Sequence, residues 1–153
     1  MNQFNRDLKD GKIAEDLLSI ALLDYGITGV TYNKSKSVKQ LKKYDLMYYN
    51  RNGNIPIKIE VKNDIYSIYS NKFAIECRYK DEPSGIETTE ANYYALLKQH
   101  TFYIIKTSLL RELINSNKYR CIECNGGETF SYLIDCNDIA NEGLNVDISK
   151  YLN

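Results

Sequence analysis

Four side chains have the types and spacing for hydrolytic chemistry: Glu15, Asp45, Glu60 and Lys62. In the stretch Ile57-Lys58-Ile59-Glu60-Val61-Lys62, residues two apart share a face if the segment is a strand. Glu60 and Lys62 then lie together, and Ile57, Ile59 and Val61 grip a core from the other side. Two carboxylates beside a lysine suit metal-assisted cleavage of a phosphodiester. Hard divalent ions take carboxylate and carbonyl oxygens plus water. Asp45 and Glu60 would bridge such an ion, and the Val61 carbonyl would add an oxygen. Lys62 would hold or deprotonate the nucleophile and offset charge on the phosphate. Glu15 would ligate through water or serve a second ion. A same-face surface pair at Glu60 and Lys62, and an Asp45 that only satisfies backbone donors, are the structural alternatives.

The elements that must position these groups follow from periodicity. Residues 44–49 and 57–62 flank Asn50-Arg51-Asn52-Gly53-Asn54, which predicts a β-hairpin carrying Asp45 on one arm and Glu60 and Lys62 on the other. Pro56 cannot donate to a ladder, so the second arm starts at Ile57. Residues 7–25 predict a helix with Leu8, Ile13, Leu17, Leu18, Ala21 and Leu22 on its apolar stripe, Asp7 as N-cap and Gly26 as stop. Glu15 falls at the edge of that stripe and needs a partner, whereas Asp16 lies on a wetter face. Residues 27–33 predict a first strand, and 73–79 a half-buried one. Lys80-Asp81-Glu82-Pro83-Ser84-Gly85 is a turn cluster. Thr88 then caps a second helix, with Ala91 at the third position after it and Tyr94, Ala95 and Leu97 on the apolar side. A strand at 101–106, a helix at 109–115 capped by Ser108, and a hairpin over 119–135 turning at Asn125-Gly126-Gly127 complete the order.

The chain has 153 residues, one domain's worth, so 1–153 is expected to be a single domain. Net charge is zero, yet residues 1–111 hold 17 Lys and Arg against 13 Asp and Glu, and residues 112–153 hold 3 against 7. Lys34, Lys36, Lys39, Lys42 and Lys43 form an acid-free run just before Asp45. The run is either a phosphate contact or a solvated loop. The overall neutrality argues against a purely electrostatic nucleic-acid binder. No apolar run suits a membrane span and no leader is recognised, which predicts a cytoplasmic protein. Cys121-x-x-Cys124 has zinc-like spacing, but the other candidate ligands, His100, Cys77 and Cys136, fall at irregular distances. A strand would put the two thiols on opposite faces. Reduced, mostly buried cysteines are therefore expected, with a zinc-stabilised module as the alternative. The 14 tyrosines fit core packing as well as base stacking.

Glu15 in a Gly11-x-x-x-Glu15 spacing on the first helix, Asp45 on the second strand, and Glu60-Val61-Lys62 ending the third resemble the PD-(D/E)xK nuclease superfamily. The resemblance spans roughly residues 8–106, with Tyr44 where the motif has proline. It implies an α/β fold: a restriction-endonuclease-like αβββαβ core, a central mixed sheet flanked by helices, with the C-terminal hairpin appended. It also implies metal binding by Asp45 and Glu60, a catalytic role for Lys62, an auxiliary one for Glu15, and Mg²⁺ as cofactor with Mn²⁺ able to substitute. Thr88 and Thr89 are candidates for touching substrate. The small size and the Gly-x-x-x-Glu helix look like archaeal and phage Holliday junction resolvases, which implies a homodimer acting on branched duplex DNA in a bacterial or phage-infected cell. A restriction-type or exonucleolytic DNase, or a non-catalytic binding module on a degenerate nuclease fold, are the alternatives.

Overall fold

A computed structural model describes residues 3–35, 37 and 43–152. The first helix, α1 (Gln3–Asp24), starts before Asp7, since neither Pro nor Gly interrupts residues 3–7. It ends at Gly26, where a φ of +73° and bonds from the Gly26 and Ile27 amides to Leu23 and Leu22 carbonyls close the last turn. Its buried face is Ala14, Leu18, Ala21 and Leu22; Ile13, expected on that stripe, is exposed instead.

Among the described residues the central sheet has six strands in the order β1-β2-β3-β6-β7-β10: β1 (Thr31–Tyr32), β2 (Leu46–Tyr49), β3 (Pro56–Asn63), β6 (Tyr93–Lys98), β7 (Thr101–Lys106) and β10 (Leu144–Asp147). It is mixed: β3 and β6 run parallel and the other neighbours antiparallel. A second, antiparallel sheet has the order β5-β4-β9-β8: β4 (Lys72–Tyr79), β5 (Glu82–Pro83), β8 (Cys121–Cys124) and β9 (Thr129–Asp135). Short helices α2 (Ser67–Ser70), α3 (Thr107–Leu113) and α4 (Cys136–Glu142) link the strands.

Strand alternation builds three layers. Ile59, Val61, Ala95 and Leu97 point from the central sheet to α1 and share a core with Leu18 and Leu22. Tyr94, Leu96 and Ile105 point the other way, to Phe73, Ile75 and Ile134 of the second sheet. Glu60 and Lys62 pair in register with Tyr94 and Leu96, so they face the second sheet.

The molecule is thus a mixed α/β fold, with several departures from the sequence expectation. The helix predicted to begin at Thr88 is β6. Between β3 and β7 it is buried on both faces, so Tyr94-Ala95-Leu96-Leu97 is a continuous apolar run with no alternation to betray a strand. The β6–β7 turn uses Gln99 at φ +54°, without the Gly or Asn that marks such hairpins. The chain between β3 and β6 therefore carries β4, β5 and a 3₁₀ turn at Gly85–Glu87. The first strand shrinks to two residues, with Gly29 at φ +69° ahead of it. β3 starts at Pro56, one residue early, at the strand's first position, where a missing donor is tolerated. α3 begins at Thr107 rather than after Ser108, and the Thr107 hydroxyl donates to the Ala91 carbonyl. The hairpin over 119–135 forms with its turn at Asn125–Gly127, and beyond it α4 and β10 complete the layers.

Candidate active site

The β2–β3 ladder runs from Tyr49↔Pro56 to Leu46↔Ile59. Asp45 lies one residue past that ladder, and its side chain lines the same cavity as Glu60. The Asp45 amide donates to the Ile59 carbonyl at 2.9 Å, which keeps the arms together at that step. Asp45 Oδ2 accepts the Val61 amide at 2.7 Å. The N–H and C=O of a strand residue point to the same edge, so the Val61 carbonyl is directed toward the Asp45 side as well.

Glu60 is only 7% exposed, because its face is roofed by the second sheet. Its Oε1 lies 2.6 Å from Lys62 Nζ, and the Lys62 side chain keeps 42% of its surface in solvent. Burial pushes the Asp45 carboxyl up to about 7, and the Glu60 charge adds to this; Lys62 and the Val61 amide pull the other way, and Glu15 contributes a further small rise. Burial works against the Lys62 ammonium, but the charges of Glu60 and Asp45 outweigh it and hold its pKa above the ordinary lysine value.

Asp45, Glu60 and Lys62 line one cavity of about 540 Å³. Lys43 and Thr88 close one side, tied by a 2.7 Å bond from Lys43 Nζ to the Thr88 carbonyl. The opposite wall comes from the second sheet: Glu76 and Tyr79 on β4, then Glu82, Pro83, Ser84 and Gly85. Among the described residues the lining carries the acids Asp45, Glu60, Glu76 and Glu82 against the bases Lys43 and Lys62, a balance that favours a cation over a bare phosphate. Gly85 fixes the wall. Its φ is +51°, and a Cβ there would sit 2.2 Å from the Glu76 carbonyl oxygen.

The other sequence-singled residues are placed as follows. Glu15 is partly buried and pairs with Lys12 at 3.3 Å; it acts on Asp45 only through its charge. Asp16, on the wetter face, accepts from the Tyr32 hydroxyl. Thr89 is buried and donates to the Lys43 carbonyl at 2.9 Å, which makes it a strut rather than a lining residue. Lys34 is exposed, and Lys36, Lys39 and Lys42 lie outside the described residues. Cys121 meets Cys77 and not Cys124, and among the described residues no three His, Cys, Asp or Glu side chains gather as a metal set. A third oxygen for a cation at Asp45 and Glu60 would come from the Val61 carbonyl and the remainder from water, the habit of Mg²⁺.

The wall residues Glu76, Tyr79 and Glu82 were not legible as site residues, because only the folding of β4 and β5 over the hairpin brings them there. Tyr94 was also hidden. Its ring is 1% exposed beside Glu60 in the sheet, and its hydroxyl has no hydrogen-bond partner among the described residues. Burial, then the Glu60 charge, holds that phenol protonated well above the usual range. Comparison with known proteins adds no relative: no family model, no curated protein and no solved structure matches this chain.

Proposed function

We propose that the protein is a Mg²⁺-dependent DNA endonuclease of the PD-(D/E)xK type, selective for branched duplex DNA. The observation that carries the reading is the Asp45–Glu60 carboxylate pair sharing one cavity with Lys62. Two carboxylates in one cavity, one pushed up to about 7 by burial and by the other's charge, form a site that a divalent cation would neutralise. The donor chemistry fits a hard cation: carboxylate oxygens, a backbone carbonyl on the same edge, and room for water.

Asp45 and Glu60 would hold the ion, with Asp45 kept in position by the Val61 amide. When bound, the ion supplies a Lewis acid for the scissile phosphate and acidifies a water at neutral pH. Lys62, anchored at one end of the cavity by Glu60, offers a charge to the phosphoryl oxygens and a group to orient the attacking water. Lys43 provides a second cation on the rim. Because acids outnumber bases in the lining, a phosphodiester would bind productively only with the cation present.

The test is cleavage of a labelled four-way DNA junction with Mg²⁺, beside a linear duplex of matched sequence. Paired nicks near the branch are the expected result, lost when Mg²⁺ is chelated. Equal cutting of the linear duplex would keep the nuclease and move the substrate to that of a restriction-type or exonucleolytic DNase. No cutting, with no divalent-ion binding by calorimetry, would overturn the enzyme reading in favour of a binding module on this scaffold.

A further inference from the structure

Cys77 lies on β4 and Cys121 on β8, and both strands flank β9 on opposite sides. Adjacent strands are spaced ~4.8 Å apart, so regular residues on β4 and β8 would be separated by ~10 Å of backbone. The two sulfurs are nevertheless 2.8 Å apart. The cause is a bulge. Glu76 pairs with Ser131 and Arg78 with Phe130, which leaves Cys77 as the extra residue. A bulge bends its strand and re-aims a side chain. Here it brings the Cys77 sulfur over β9, where it lies 3.3 Å from the Phe130 carbonyl oxygen. Cys121 is exposed at the sheet edge, Cys77 is buried, and both are free thiols.

We propose that Cys77 and Cys121 are a hydrogen-peroxide-sensitive dithiol that closes to an intramolecular disulfide joining β4 to β8. The exposed partner reacts first: the Cys121 sulfur attacks a peroxide oxygen, the O–O bond breaks, and sulfenic acid and water form. The Cys77 sulfur then attacks the sulfenic sulfur, the S–O bond breaks, and the Cys77 proton leaves with the hydroxide as a second water. Two thiols are oxidised and one peroxide is reduced. Burial, aided by the Cys121 contact, pushes the Cys77 thiol up to about 12, so of the two sulfurs the exposed Cys121 is the one open to the peroxide. Cys77 follows Glu76 directly, so the bond would pin the strand that forms the cavity wall.

The test is non-reducing peptide mapping of purified protein treated with hydrogen peroxide and then alkylated. The expected product carries a Cys77–Cys121 linked peptide, retains alkylatable Cys124 and Cys136, and reverts with dithiothreitol. Cys121→Ser, at an exposed position, should abolish the link, and Cys124→Ser should leave it. A link through Cys124 or Cys136, or a Cys121 oxidised to sulfinic acid while Cys77 stays alkylatable, would overturn the proposal.

Discussion

The Val61 amide donates to the Asp45 carboxyl at 2.7 Å, which holds Asp45, one residue past the last rung of the β2–β3 ladder, in the cavity that Glu60 also lines. Two acids so placed repel each other, and Lys62 offsets that repulsion at both, through its 2.6 Å pair with Glu60 and through its charge at Asp45. The predictions for this site start from that charge balance.

Removing either end of the Glu60–Lys62 pair should stop turnover. Glu60→Gln and Lys62→Met are each expected to lower kcat by about 100-fold or more, the usual cost of losing a preorganised charge at a reacting phosphate. Circular dichroism should show both variants folded, and DNA affinity measured with Ca²⁺ should change only several-fold. Turnover near wild type in either variant would remove the nuclease assignment.

Asp45→Asn should stabilise the metal-free protein at neutral pH. The folded carboxyl titrates at about 7, against about 3.9 in the unfolded chain. Below pH ~4 both states are protonated and the side chain is neutral to stability. Between ~4 and ~7 the unfolded chain loses the proton while the folded one keeps it, so stability falls by ~1.4 kcal/mol per pH unit, a few kcal/mol in all. Urea denaturation of the two proteins across pH 4–8 should therefore start together and diverge to a plateau, with Asn the more stable. Mg²⁺ should raise the wild-type midpoint and leave that of Asp45→Asn almost unmoved.

Tyr94→Phe should raise stability by about 1 kcal/mol, because it deletes a buried hydroxyl that no group among the described residues satisfies and keeps the ring. The urea midpoint should increase at constant m-value. A loss of stability instead would mean that the hydroxyl has found a bound water beside Glu60.

Gly85→Ala should cost ~3 kcal/mol, from the left-handed backbone and from the collision with the Glu76 carbonyl. The thermal midpoint should drop by many degrees, whereas Gly53→Ala, with nothing near its missing Cβ, should lose much less.

The hairpin was legible because its signals are local. Asn50 to Asn54 marks the turn, and Ile59 and Val61 alternate with Glu60 and Lys62, which settles the faces. α1 was legible for the same reason, although Ile13 and Ala14 exchange roles at the edge of its stripe. Burial on both faces removed the pattern from β6, and Gln99 made a turn without a turn residue. The wall at Glu76 and Glu82, and the meeting of Cys77 with Cys121, depend on which strands become neighbours, and no short window of sequence carries that information.

Synthesis from the N-terminus gives the two halves of the cavity different birth times. Asp45, Glu60 and Lys62 belong to a hairpin that closes within its own stretch of chain. The wall strand β4 finds its main partner only in β9, where Glu76 pairs with Ser131. On the ribosome the carboxylate pair can thus assemble while its roof is still missing, and the last third of the polypeptide must emerge before the cavity has two sides.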